Sequence, residues 1–170
     1  WQWTLEQHHR QWGLGLAESE SMVLSQNLED FEERMERFNR NGESVARFLQ
    51  NHPVVEKVYH GSLAEQKDAS RGWLSDYGSV VSFVLQTGDL EGLQSFYDHL
   101  PGQLLKAPTL GSNQTLVCPY ALLAHYHEPP SFFEYHGIPR HLIRVATGCE
   151  NDLGPVLRAL DEGLNNTLND

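Results

Sequence analysis

The stretch that most restricts the fold is Gly78-Ser79-Val80-Val81-Ser82-Phe83-Val84-Leu85. It is short, rich in β-branched and aromatic residues, and apolar at both even and odd positions. That is how a strand buried on both faces reads. Such a strand needs a sheet around it and cover over that sheet. Residues 54–59, 104–108, 115–117 and 142–147 have the shorter apolar runs that supply the other strands.

Helical periodicity fills much of the rest. Trp1, Leu5, Trp12 and Leu16 recur at helical spacing, and Gly13 and Gly15 end that segment. A second short helix is expected over residues 19–26. The longest, over residues 27–51, puts Leu28, Phe31, Met35, Phe38, Val45, Phe48 and Leu49 on one face. Asn27 is its expected cap, with Glu29, Asp30, Glu32 and Glu33 where the helix dipole favours negative charge. Gly42 is expected to loosen its middle, and the helix must stop before Pro53. Further helices are expected over residues 63–73, 88–100, 131–136 and 152–164, with a helical turn at 119–126. Strands interleaved with helices indicate an α/β chain of the α+β type, a small sheet covered by helices.

With 12 Lys and Arg against 23 Asp and Glu, the 170-residue chain carries a formal charge of −11. That balance argues against general nucleic-acid binding, which needs cations to displace phosphate counterions, and against an anionic lipid surface. No apolar run reaches the ~18–20 residues of a membrane span. Cys118 and Cys149 are too few for a disulfide scaffold, and no C-x-x-C occurs, so a reducing cytoplasm is the expected compartment. The start at Trp1 has neither a basic n-region nor an apolar h-region, and no initiator Met, so the chain is expected to be part of something longer.

Few residues nominate chemistry alone. His125, His127, Glu128, His136 and His141 include metal-ligand types, but Pro129-Pro130 breaks any H-E-x-x-H geometry, and packing or surface histidines are the commoner reading. Cys149 follows a glycine at a strand end, with no base or oxyanion site nearby in sequence; Cys118 reads as a small buried hydrophobe. The loop Leu110-Gly111-Ser112-Asn113-Gln114 carries no phosphate-binding pattern. Arg144 is more informative. It sits in the apolar run Leu142-Ile143-Arg144-Val145, and a guanidinium cannot shed its charge. It must meet an anion. An internal Asp or Glu is the commoner partner, and a ligand carboxylate or phosphate is the alternative.

Together the motifs form a recognisable series. Pro108-Thr109-Leu110-Gly111-Ser112-Asn113-Gln114-Thr115-Leu116-Val117-Cys118-Pro119, then Gly137-Ile138, then Leu142-Ile143-Arg144-Val145-Ala146-Thr147-Gly148-Cys149-Glu150 resembles the C-terminal signature of the trans-sulfuration, or Cys/Met-metabolism, pyridoxal-phosphate enzymes. Their usual run is S-L-G-x-x-x-(S/T)-L, a Pro, G-I, then L-I-R-(L/I)-S-x-G-x-E. Tyr77 to Phe83 is similar to the family's F-G-G-M-L-S-F, His52 to Leu63 to its H-P-x-V-x-x-V-x-Y-P-G-L, and Leu28 to Arg34 to its T-L-x-x-R. The likeness covers residues 12–164, and Thr115 to Tyr126 is most like the cystathionine γ-synthase branch, its fungal-type members in particular.

The resemblance implies a fold, a small and mostly antiparallel sheet with helices on one face, as in the C-terminal domain of fold-type I pyridoxal-phosphate enzymes. It implies that residues 1–27 are a helical segment continuing from a missing large cofactor domain, and that residues 28–170 are the substrate-binding domain. It implies that Arg144 binds the α-carboxylate of an amino-acid substrate, and that Thr109, Leu110 and Gly111 help to seat that carboxylate. Thr109 keeps the hydroxyl of the family's serine and adds a methyl. The implied reaction is replacement of the γ-substituent of an O-activated homoserine by cysteine, with a γ-lyase, β-lyase, homoserine sulfhydrylase or non-catalytic partner domain as alternatives. The implied cofactor is pyridoxal 5′-phosphate, the electron sink of such reactions, held by the missing domain. A homotetrameric parent is implied too. None of Lys57, Lys67 and Lys106 stands in the family's S-x-T-K-Y setting. The chain alone is therefore expected to have no catalytic or cofactor-binding residue and to be inactive.

Overall fold

A computed structural model describes residues 1–13, 15–63 and 73–167. The chain forms two compact units, residues 1–34 and residues 35–170. The first holds helices α1 (Gln2–Gln11) and α2 (Glu18–Leu28), neither with a buried residue. The helix expected from Asn27 onward begins later. A turn at Glu29-Asp30 separates α2 from α3 (Phe31–Gln50), and Asn27 lies in the last turn of α2 rather than capping α3. Arg34 is the local reason: its guanidinium pairs with Asp30 at 3.0 Å and donates to the Asn27 carbonyl, tying the turn together.

The larger unit is built on a five-stranded sheet of order β1-β2-β5-β4-β3, from β1 (Val55–Tyr59), β2 (Val80–Leu85), β3 (Leu105–Lys106), β4 (Leu116–Cys118) and β5 (Ile143–Ala146). Every pairing is antiparallel except β3 with β4. Among the described residues its helices are α3, α4 (Leu90–Asp98), α5 (Tyr120–Ala124), α6 (Pro130–His136) and α7 (Gly154–Asn166). Asp89 caps α4, accepting from the Gly92 amide at 2.8 Å, and Gly137 ends α6 in the left-handed conformation, φ 63°. The helix expected over residues 63–73 lies outside the described residues, apart from Leu63 in a 3₁₀ turn (Gly61–Leu63) and Trp73.

Strand register sorts the side chains. Val81, Phe83, Val117, Ile143 and Val145 point to one face and join Val45, Ala46 and Leu49 of α3, Leu93 and Phe96 of α4, and Val156, Ala159, Leu160 and Leu164 of α7 in a single core. Phe83 and Phe96 meet edge-on at 5.6 Å. Helices thus cover one face, as expected. The opposite face carries Val80, Ser82, Val84, Cys118 and Arg144. There β2 departs from the expectation of burial on both sides: Val84 is buried, but Val80 is 39% exposed.

Gly42 also has a different role from the one expected. A Cβ there would lie 2.2 Å from the Gly78 carbonyl oxygen, so the glycine lets α3 and the backbone entering β2 touch. Asn39 fixes the same approach by accepting from the Gly78 amide at 3.0 Å.

Candidate functional site

Arg144 lies in β5 between Ser82 of β2 and Cys118 of β4, on the face away from the helical core. It is half-buried, and among the described residues it has no carboxylate partner. Among the described residues, the internal ion pair that the bare sequence favoured does not form. Its Nη2 donates instead to two backbone carbonyls, Pro108 at 2.5 Å and Thr109 at 3.3 Å. Its guanidinium carbon stands 4.9 Å from the centre of the Tyr120 ring. Nε is buried without a hydrogen-bond partner. A buried donor left unmade costs about 1–3 kcal/mol, more on a charged group, so the fork is held in an incompletely satisfied state.

Among the described residues, the groups recorded against the guanidinium are uncharged: two carbonyls, a phenol ring and the Cys118 thiol. Burial pushes the Cys118 thiol above its usual range, against the opposing pull of Arg144, so it stays protonated and offers no thiolate counter-charge. Among the described residues, no anionic group neutralises Arg144.

The loop before β4 is locked from behind. Asn41, a buried polar residue on the apolar stripe of α3, donates to the carbonyls of Gly148 and Glu150, both at 3.0 Å. The Thr115 hydroxyl accepts from the Gly148 amide at 3.0 Å, and the Thr115 amide donates to Glu150 Oε1 at 2.5 Å. The Cys149 amide donates to the Asn113 carbonyl at 3.1 Å. A Cβ on Gly148 would fall 2.4 Å from that same carbonyl oxygen, so only glycine permits this contact. The segments 113–115 and 147–150 are thereby clamped together beside Arg144.

Of the residues singled out by sequence, Arg144 and Thr109 meet directly, through the Thr109 carbonyl rather than its hydroxyl. Leu110 and Gly111 follow on the exposed loop, Gly111 at φ 76°. Sequence reading missed Tyr120, the Pro108 carbonyl and Asn41. Only Asn41 carried a signal, a polar side chain at helical spacing from Phe38 and Val45. The histidines pack among rings, His125 against Phe132 at 5.0 Å and His136 against Phe132 at 4.4 Å. Among the described residues no three metal-ligating side chains gather. Cys149 donates its thiol to Asn113 Oδ1 at 3.3 Å.

Residues 1–165 match the family model described as Cys/Met metabolism PLP-dependent enzyme. The chain belongs to that family. Cystathionine gamma-synthase of Neurospora crassa is 37% identical over 132 residues, covering 76% of this chain and 20% of that protein. The enzyme of the same name from Escherichia coli is 31% identical over 152 residues, covering 85% of this chain and 39% of that one. Among solved structures, cystathionine gamma-lyase from Lactobacillus plantarum complexed with L-serine superposes with a TM-score of 0.79 at 27% identity, over 90% of this chain and 40% of that one. The chain thus spans between one and two fifths of the length of these relatives.

The family uses pyridoxal phosphate, and the described residues do not fit that group on their own. A Schiff base needs a lysine in the site. Lys106 lies over the Tyr97 ring at 4.7 Å, on the helical side of the sheet opposite Arg144. Lys57 lies over the Tyr59 ring at 4.9 Å, on the same sheet face as Arg144 but on the edge strand β1, with β2 between it and β5. Lys67 is outside the described residues.

Proposed function

We propose that the chain is the substrate-binding part of a longer pyridoxal-phosphate enzyme, in which Arg144 grips the α-carboxylate of an amino acid. The observation that carries this is the unneutralised guanidinium, aimed by two carbonyls and an aromatic ring on the open face of the sheet. A planar fork matches a carboxylate better than an ammonium does. Thr109, Leu110 and Gly111 form the rim of that grip. The lock through Asn41, Thr115 and Glu150 keeps the rim from drifting, and fixed orientation is worth far more to a reaction than affinity alone. The cofactor and its lysine belong to another domain on this reading, so the chain by itself neither holds the cofactor nor turns over substrate. That the Lactobacillus plantarum relative is complexed with L-serine supports an amino acid as the ligand.

Within the family, γ-replacement on an O-activated homoserine by cysteine is the favoured reaction, supported by the 37% identity to the Neurospora crassa cystathionine gamma-synthase. The test is product analysis with the complete enzyme. Cysteine supplied with O-acetyl-, O-succinyl- or O-phosphohomoserine gives cystathionine if this is right. Release of a keto acid and ammonia from cystathionine or methionine, with no cystathionine formed, would assign a lyase instead.

A further inference from the structure

We infer that Tyr120 is a positioning residue for the substrate carboxylate, its ring holding the Arg144 guanidinium in the orientation that the carboxylate meets. This rests on the carboxylate-binding reading of Arg144 and deepens it. Both backbone hydrogen bonds of the guanidinium use Nη2, and both go to one short stretch, Pro108-Thr109. Those bonds anchor the Nη2 end, while Nε is buried without an acceptor to hold the other edge. The Tyr120 ring, 4.9 Å from the guanidinium carbon, is the aromatic contact that resists tilting of the group away from those carbonyls. A cation over an aromatic face is held by the ring quadrupole without losing its charge, so the ring orients Arg144 without competing for it as a carboxylate would.

The ring is itself braced. Tyr120 opens α5 directly after Pro119, at the end of β4, whose Cys118 is the cross-strand partner of Arg144. It meets His125 edge-on at 6.1 Å, and His125 rests on Phe132 at 5.0 Å and Phe133 at 6.1 Å. A stack of rings therefore backs the guanidinium. The Tyr120 hydroxyl makes no hydrogen bond among the described residues, so the role belongs to the ring face and not to the phenol oxygen.

The test compares Tyr120→Phe with Tyr120→Leu, using Arg144→Ala as the reference. In the complete enzyme, Tyr120→Leu should raise KM for the amino-acid substrate about 3- to 30-fold, the range of an aromatic–cation contact. Its kcat should change little, because ground and transition states share this grip. Tyr120→Phe should match the parent. In the 170-residue chain, the Arg144 Nε–H signal should lose its ring-current shift in the Leu variant and keep it in the Phe variant, a readout that needs no turnover. An unchanged KM and an unmoved Arg144 signal in the Leu variant would overturn the inference. So would equal damage from Phe and Leu, which would implicate the hydroxyl. If Arg144→Ala leaves KM unchanged, the carboxylate reading itself fails. A large effect from Arg144→Ala beside a silent Tyr120→Leu refutes the role of Tyr120 alone.

Discussion

Replacing Gly42 with alanine sets two effects of opposite sign against each other. In a free helix the change stabilises by about 1 kcal/mol, because glycine loses more backbone freedom on folding. In this protein the new Cβ would lie 2.2 Å from the Gly78 carbonyl oxygen, 3.1 Å from Ser79 Cα and 3.2 Å from the Gly78 carbonyl carbon. All three are backbone atoms, so no rotamer relieves the clash. Ordinary contact lies near 3.5 Å, so α3 and the entry to β2 must part by about 1 Å. Overpacking costs about 1–3 kcal/mol, and the upper end applies because the Asn39–Gly78 hydrogen bond is stretched as well. The net expectation is a loss of about 2 kcal/mol, or about 4–8 °C in Tm for a chain of this size. Thermal unfolding followed by far-ultraviolet circular dichroism measures it. A Gly42→Ala protein that melts at or above the parent temperature would refute the close-approach account and restore the view of Gly42 as a flexible point.

Two further outcomes follow from polar groups in the core. Asn41→Leu should cost about 2–4 kcal/mol in urea unfolding, because the buried Gly148 and part-buried Glu150 carbonyls lose their donor; a loss under about 0.5 kcal/mol would show that the clamp is dispensable. Burial holds the His60 pKa below 6.5, against a bond to the Gly78 carbonyl and the charge of Glu43 that act to raise it. The unfolded chain then binds the proton more readily, so this contribution is complete above pH 6.5 and is lost as pH falls from there through the lower folded value. Urea midpoints should fall between pH 7.5 and 5.5 by more in the parent than in His60→Gln, and equal slopes would contradict the assignment.

The sheet and the long helix were legible because their patterns are local. Val80 to Leu85 reads as a strand from its own residues, and α3 from the spacing of Phe38, Val45 and Leu49. What the sequence could not display is distance. Gly42 looks like a weak point until Gly78 is seen against it. Asn41 looks like a blemish on an apolar stripe until the Gly148 and Glu150 carbonyls, more than 100 residues later, are placed over it. The double burial expected for β2 failed at Val80, because apolar content in a strand does not say which parts of a sheet face are covered. Arg144 was visible as a charge in the wrong company. That its partners would be carbonyls and a ring, rather than an acid, depends on the loop 108–111 folding back across the sheet, and no spacing rule encodes that.

Arg144 as the carboxylate grip is the centre of the proposed site. Steady-state kinetics of Arg144→Ala in the complete enzyme, with the cofactor absorbance recorded on the same sample, test it most directly. Loss of a charge-assisted hydrogen-bonded contact worth about 1.5–3 kcal/mol predicts a rise in substrate KM of about 10- to 150-fold with the cofactor spectrum intact. A KM equal to that of the parent enzyme would contradict it.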